Sequence, residues 1–237
     1  MKRAPLHSSG AAALLALALA AGVPGTARAG TLSGGVDLLE LHPSSAAGHV
    51  LMESSWTAGE GIPAFTLHLN AGIDTRPLYG ELQVEELWNP AIAKGLRLAI
   101  GARQDVRPGE DLAHATFGIE ADLLPGLYAE HYAYLSQRGE LTGAAKMVVT
   151  LPLEEGIALE PRAELNWAAR DNPLEAIGPG LVDTRFSMRL RRSLGERFDV
   201  YVGLVHWRLH GRSADYALSE GAPTRSSDVV IGGGFAF

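Results

Sequence analysis

Three side chains near the start of the chain carry donor atoms that transition metals bind. His42, His49 and Met52 offer two imidazole nitrogens and a thioether sulfur, which suit soft and borderline metal ions. A Pro-Ser-Ser-Ala-Ala-Gly turn after His42 would bring its strand alongside the strand of His49. We therefore predict a metal site at these three residues. The alternative is three isolated side chains at the rim of a barrel, because residues three apart on a strand face opposite sides.

Charged residues recur at every second position along Leu159–Arg192, on both sides of a predicted loop at Asp171–Gly180. A period of two puts charge on one face of each strand and hydrocarbon on the other. Together with two earlier strands, the pattern predicts an inward-facing charge network of Glu120, Glu130, Glu160, Arg162, Glu164, Asp183, Arg185 and Arg189. Unpaired charges in a narrow space are costly, so we expect arginine–carboxylate pairs. The network either fills and orders the interior or lines a path for cations.

Other histidines of the chain could take part in chemistry of a different kind. Some outer-membrane barrels hydrolyse lipids with a serine–histidine pair, and His131 with Ser136 is the candidate pair here. No G-x-S-x-G or comparable nucleophile signature accompanies it, so we predict that the protein is not an enzyme. His206 and His210 share a strand face but would lie roughly 13 Å apart, too far to bind one metal ion together.

Short alternating segments separated by turn residues run through the chain from about residue 36. We predict an all-β fold of about twelve strands, with a small polar lead-in at Thr31–Gly35 and a polar loop at Gly211–Ser226. An even strand number with alternating short and long connections predicts a transmembrane antiparallel β-barrel, whose outer face would contact outer-membrane lipid. A soluble β-sandwich is the alternative, but charge on a single face of so many strands disfavours it.

The first 29 residues have the features of a cleaved secretory signal peptide: a basic start, a short apolar stretch and an end at Ala27-Arg28-Ala29. Residues 30–237 would then form the barrel as one domain. The chain has no cysteine, which excludes disulfides, thiolate metal sites and a cysteine nucleophile. Its net charge is −7, and the predicted signal holds basic residues but no acidic one. An acidic mature chain is not expected to bind nucleic acid.

Eight short segments have a pattern in common with one protein family. They are Glu81–Gln83, Gly101–Arg103, Pro161–Asn166, Asp171–Asn172, Gly178–Gly180, Leu181–Arg191, Tyr201–Gly203 and Ala214–Tyr216. Together they resemble the copper resistance protein B family. The resemblance covers most of the chain after the predicted signal peptide and is strongest from Glu130 onward.

The resemblance implies a twelve-stranded barrel in a Gram-negative outer membrane that takes part in copper resistance, by binding copper or by passing it across that membrane. It makes copper the metal expected at the predicted site and periplasmic copper-handling proteins the expected partners. Family members usually carry a Met- and His-rich segment before the barrel, whereas this chain has no Met between Thr31 and His49. A structural or general porin-like barrel without a copper role is the alternative function.

Overall fold

In the computed structural model the chain forms a closed β-barrel. The structure describes residues 32–43, 49–58, 64–75, 78–107 and 111–236, so the predicted signal peptide at residues 1–29 lies outside the described residues. The strands are β1 (Leu32–His42), β2 (His49–Ala58), β3 (Ala64–Thr75), β4 (Leu78–Asn89), β5 (Ala91–Ala93), β6 (Leu96–Val106), β7 (Leu112–Leu124), β8 (Leu127–Ser136), β9 (Leu141–Val149), β10 (Leu151–Glu154), β11 (Ile157–Ala168), β12 (Gly180–Ser193), β13 (Phe198–Leu209) and β14 (Arg225–Ala236). Helix α1 (Gly211–Ser219) precedes β14.

Twelve long strands form the wall, and pairing between the first and the last of them closes it. β1 pairs antiparallel with β14, from Gly35 opposite Ala236 to Leu41 opposite Ile231, and with β2 on its other side. The two short strands, β5 and β10, extend the turns beside β6 and β11. A closed sheet satisfies the backbone hydrogen bonds of its strands without leaving an edge. The predicted twelve-stranded antiparallel barrel is confirmed.

Side chains alternate between the inside and the outside of the wall along most of each strand, as β7 illustrates. His114, Thr116 and Glu120 on β7 are buried, whereas Phe117 is 54% and Ile119 43% exposed. Large apolar side chains form a similar exposed belt on other strands, among them Phe186, Met188, Leu190, Val202, Leu204, Val229 and Ile231. Charge inside and hydrocarbon outside is the reverse of a soluble domain and is typical of a barrel in lipid.

The two ends of the barrel differ in the length of their connections. At the end we call the turn end, connections are short and contain Gly95, Gly126, Gly156 and Gly195, with φ of 70°, 76°, 72° and 87°. Glycine adopts these positive φ values without steric cost, which permits tight reversals. At the opposite end, which we call the loop end, lie the longer connections 169–179 and 210–224.

The structure corrects the sequence-based expectations at two places. The predicted lead-in at Thr31–Gly35 belongs largely to β1, because the backbones of Gly34 and Gly35 pack directly against carbonyls of β2 and β14. The predicted loop at Gly211–Ser226 contains α1, whose buried Ser213 accepts a hydrogen bond from the Gly178 amide at 2.8 Å. Both elements depend on contacts with distant segments, which local patterning does not reveal.

No helix in the described part of the chain is long and apolar enough to span a membrane.

A tyrosine inside the barrel lies directly on a glycine of the neighbouring strand. The Tyr132 ring covers the position that a Cβ atom at Gly118 would occupy, and the Tyr132 hydroxyl donates to Glu120 Oε1 at 2.8 Å. The Tyr132 ring can therefore pack against the wall only because Gly118 has no side chain. Any larger residue at position 118 would overlap the ring.

We expect Gly118→Ala to lower the free energy of unfolding by about 1–3 kcal/mol, the usual cost of overpacking. The added methyl would push the Tyr132 ring away from the wall and its hydroxyl away from Glu120. Denaturant unfolding of the refolded barrel measures the change. Gly80→Ala is the control, because a Cβ atom there meets its nearest neighbours at an ordinary 3.6 Å. Equal stability of the Gly118 variant and the original protein would contradict the tight fit.

Candidate functional site in the barrel lumen

Two histidines face each other inside the loop end. His42 ends β1, His49 begins β2, and the two are register partners whose ring centroids lie 5.1 Å apart in an edge-on arrangement. His42 Nε2 lies 3.0 Å from Glu40 Oε1, and His49 Nδ1 lies 2.8 Å from Asp74 Oδ1. We call these four residues the mouth cluster. Their nitrogen and oxygen donors are of the kind that Cu(II) accepts.

Met52 lies on the other side of the wall from the mouth cluster. Its register partner is Leu39, which is 51% exposed on the outer surface, and direct partners on neighbouring strands share a face. His49 lines the lumen instead. The structure therefore brings His42 and His49 together but separates Met52 from them, since side chains three apart on a strand point to opposite faces. Among the described residues no three His, Asp or Glu side chains are grouped closely enough to hold a metal ion as they stand.

A buried arginine from β12 holds the carboxylate beside His42. Arg189 Nε donates to Glu40 Oε2 at 2.7 Å, and Arg189 Nη1 donates to Ser187 Oγ at 2.7 Å. The side chains of Arg189 and Glu40 are each 1% exposed, and β13 and β14 separate their strands in the sheet. A buried ion pair is costly to break, so this pair fixes the position of β1 relative to β12. It also holds the Glu40 carboxylate in place beside the His42 ring.

Farther into the lumen, charges from opposite walls meet. Glu53 on β2 approaches Arg162 on β11, with Nη1 3.5 Å from Oε2, and Lys146 on β9, with Nζ 4.0 Å from Oε2. Lys146 Nζ also lies 2.9 Å from Glu130 Oε1 on the neighbouring strand β8. We call these four residues the central cluster.

Toward the turn end the lumen is occupied by a compact hydrogen-bonded group. Glu120 accepts hydrogen bonds from Asn89 Nδ2 at 2.9 Å, Arg97 Nε at 3.0 Å and Tyr132 OH at 2.8 Å. Three donors on one carboxylate, contributed by three strands, leave little capacity for binding anything else. This group stabilises the wall rather than forming a site for a ligand.

The structure places all eight charged residues predicted for the inner face inside the barrel. They are Glu120, Glu130, Glu160, Arg162, Glu164, Asp183, Arg185 and Arg189. Sequence reasoning missed Glu40, Glu53 and Lys146. The sequence carries a signal for Glu53 and for Lys146. Glu53 is the only acidic or basic residue of HVLMESSWTA, and Lys146 is the only one of LTGAAKMVV, with histidine counted as neutral.

The connection at residues 169–179 reaches toward the mouth of the barrel. Glu175 forms ion pairs with Arg107, beyond β6, at 2.7 Å and with Arg138, in the turn after β8, at 3.1 Å. Ile177 from the same connection lines the lumen. The loop therefore lies over part of the loop end and narrows its opening.

The candidate hydrolase pair is not assembled in this structure. His131 points outward and accepts a 3.0 Å hydrogen bond from Trp167 Nε1, whose ring stacks on it and lies on Gly143. Ser136 is buried on the opposite face of the strand, and its hydroxyl donates to Glu140 at 3.2 Å. The separation follows from their odd spacing of five residues along β8.

His206 and His210 bind separate partners near the loop end. His206 Nδ1 lies 2.8 Å from Ser227 Oγ on β14, and His210 Nε2 lies 2.9 Å from Thr184 Oγ1 on β12. His206 faces outward and is exposed. Neither joins the mouth cluster.

A cavity of about 800 Å³ occupies the lumen. Its lining includes His49 and Ile177 toward the loop end, and Glu53, Lys146 and Arg162 farther in. By this measure a cavity needs only about 10–15 Å³ to hold one water molecule. The lumen therefore has room for hydrated ions between the mouth cluster and the central cluster.

A closed barrel with an apolar belt outside and a charged interior belongs to the class of bacterial outer-membrane β-barrels. Two solved porins of this class have a similar fold. The KdgM porin matches with a TM-score of 0.55 and the NanC porin with 0.56, each at 11% sequence identity, over 86% of this chain and 99% of the porin. At that identity the likeness concerns the fold.

Sequence comparisons identify the family. The family model for the copper resistance protein B precursor (CopB) matches residues 31–237. The copper resistance protein B homolog of Pseudomonas syringae pv. tomato is 30% identical over 179 residues, and copper resistance protein B of Escherichia coli is 26% identical over 196 residues. Each match covers 76% of this chain, but 60% and 66% of the respective relative. The chain belongs to the copper resistance protein B family and spans less than two thirds of the length of these relatives.

We expect Arg189→Met to lower the free energy of unfolding by about 3–5 kcal/mol, because it leaves Glu40 buried without its guanidinium. Denaturant unfolding in a lipid or detergent environment measures the loss. Arg208→Met is the matched control, since Arg208 is exposed. The double variant Glu40→Gln with Arg189→Met should recover part of the loss. An Arg189→Met barrel as stable as the control would contradict a structural role for this ion pair.

Proposed function

We propose that this outer-membrane barrel contributes to copper resistance by binding copper ions at the mouth cluster and passing them through the lumen. The observation that carries the proposal is the edge-on meeting of His42 and His49 inside the loop end. Imidazole nitrogen is a preferred copper ligand. Membership of the copper resistance protein B family supports copper over other metals that imidazole binds.

The hydrogen bonds of the two histidines suit metal binding. A metal-ligating histidine usually donates its other ring N–H to a carboxylate, which fixes the ring. Glu40 holds Nε2 of His42 and Asp74 holds Nδ1 of His49. Nδ1 of His42 and Nε2 of His49 would then be the donors to copper. In this arrangement Arg189 would act indirectly, because its hydrogen bond to Glu40 holds the carboxylate that orients the His42 ring.

The position of the mouth cluster supports a role in passage across the membrane. Outer-membrane barrels have short periplasmic turns and longer extracellular loops, so the loop end would face the outside and the turn end the periplasm. A copper ion crossing the barrel in either direction would pass His42 and His49. Periplasmic copper-handling proteins are the proposed partners at the turn end, and residues 1–29 are the proposed export signal.

A general porin-like barrel without a copper role is the second candidate function. It is favoured by the lumen cavity of about 800 Å³ and by the shared fold with porins. Under this alternative the two histidines would only order the rim. The two candidates differ in what removal of the histidines does to copper tolerance.

We expect the double variant His42→Ala with His49→Ala to fail to restore copper tolerance to a strain lacking this protein. The variant removes both imidazole donors while leaving the wall strands intact. The measurement is growth across a copper series, with zinc and silver as the comparison metals. Titration of the purified barrel with copper should show binding weakened at least about tenfold.

Two variants serve as controls for this experiment. Met52→Leu, on the outer face, and His206→Ala, an exposed histidine away from the cluster, should restore tolerance fully. Heat-dependent gel migration checks that every variant is folded in the outer membrane. Full copper tolerance with the double histidine variant would contradict a role for the mouth cluster. Unchanged metal tolerance in the strain lacking the protein would favour the porin-like alternative.

A further inference from the structure

The central cluster joins strands that lie on opposite sides of the barrel. In the order of the sheet, five wall strands separate β2 from β9 in each direction around the ring. Glu53 on β2 and Lys146 on β9 are therefore diametrically placed, yet their charged atoms come within 4.0 Å. Arg162 on β11, next to β9, comes within 3.5 Å of the same Glu53 oxygen. Side chains at this level span the whole width of the lumen.

Contacts across the lumen are looser than contacts along its wall. Lys146 lies 2.9 Å from Glu130 on the adjacent strand, and Arg162 Nε donates to Glu160 on its own strand at 2.8 Å. The contacts of Glu53 with the same two cations, at 3.5 and 4.0 Å, exceed ordinary hydrogen-bond lengths of 2.7–3.2 Å. Separation of Glu53 from the opposite wall would therefore break the two longer electrostatic contacts and leave the short contacts of Lys146 and Arg162 along the wall in place.

The cavity around the central cluster carries an excess of carboxylates. Among the described residues that line it, seven are Asp or Glu and four are Lys or Arg. By formal charge the lining is negative. A cleft lined mainly by one sign of charge and enclosed by low-dielectric walls concentrates ions of the opposite sign. This lumen should attract cations and repel anions.

We propose that the central cluster forms the constriction of a cation-conducting lumen, with the Glu53 and Glu130 carboxylates as the groups that an entering cation contacts. The Lys146 ammonium acts as a tethered cation that competes with an entering cation for Glu53 and Glu130. An incoming cation takes its place beside Glu53 while Lys146 keeps its short contact with Glu130. Rings of acidic side chains set cation selectivity in other pores by the same electrostatics.

The inference rests on the proposed function, because a barrel that passes copper must admit a cation. It names different residues from the mouth cluster, and its test uses potassium and chloride without copper. Loss of copper tolerance in the histidine variant and loss of ion selectivity in the central-cluster variants are therefore separate results. Either proposal can fail while the other stands.

The test is reversal-potential measurement on the purified full-length barrel in planar lipid bilayers under a KCl gradient. We expect the original protein to conduct and to favour potassium over chloride. Glu53→Gln should shift the reversal potential toward zero, because it removes the carboxylate opposite Lys146. Lys146→Gln should raise both the potassium conductance and the preference for potassium, because it removes the tethered competitor.

Lys94→Gln is the matched control, since Lys94 is exposed at the turn end, and it should leave the reversal potential unchanged. Heat-dependent gel migration establishes folding before each recording. If Lys146→Gln does not fold, Glu53→Gln decides the proposal alone, since that variant leaves Lys146 paired with Glu130. A barrel that does not conduct, one that prefers chloride, or central-cluster variants that behave like Lys94→Gln would overturn the inference.

Discussion

Charged side chains that point into this barrel are enclosed by a wall whose outer face is hydrocarbon. In that setting an unpaired charge is costly, so each acidic or basic group needs a partner or water. Glu40 and Arg189 illustrate the result: both are almost fully buried, and they meet at 2.7 Å across two intervening strands. The position of the Glu40 carboxylate beside His42 depends on such pairing.

The distances between paired polar and charged groups change along the barrel axis. Near the turn end Glu120 accepts three hydrogen bonds of 3.0 Å or less. In the central cluster the contacts of Glu53 lengthen to 3.5 and 4.0 Å beside a large cavity. Toward the loop end, His42 and His49 are held by carboxylates at 3.0 Å or less. Open space therefore lies beside the central cluster and extends toward His49 and Ile177 at the loop end.

The arrangement shows which donor atoms this member of the copper resistance protein B family has near the mouth of its lumen. The segment between Thr31 and His49 contains no methionine, and Met52 faces outward beside Leu39. The donors that the described lumen offers near its mouth are therefore nitrogen and oxygen rather than sulfur. Nitrogen and oxygen donors favour Cu(II), whereas thioether sulfur favours Cu(I). Under the proposed copper role, such donors would suit Cu(II) rather than Cu(I).

The sequence by itself determined the class of fold and the inward direction of eight charged side chains. Alternation on β7 and β11–β12 assigned Glu120, Glu160, Arg162 and Arg189 to the lumen, because side-chain direction in a strand depends only on position along it. The spacing of His49 and Met52, three residues apart, also indicated that their side chains would point to opposite faces of the strand.

What only the tertiary structure decided is which charges meet: Glu40 with Arg189, and Glu53 with Lys146 and Arg162. These pairs lie far apart in sequence, and the strand order and register of the closed barrel bring them together. Helix α1 has the same origin, because Ser213 is held by Gly178 of a distant connection.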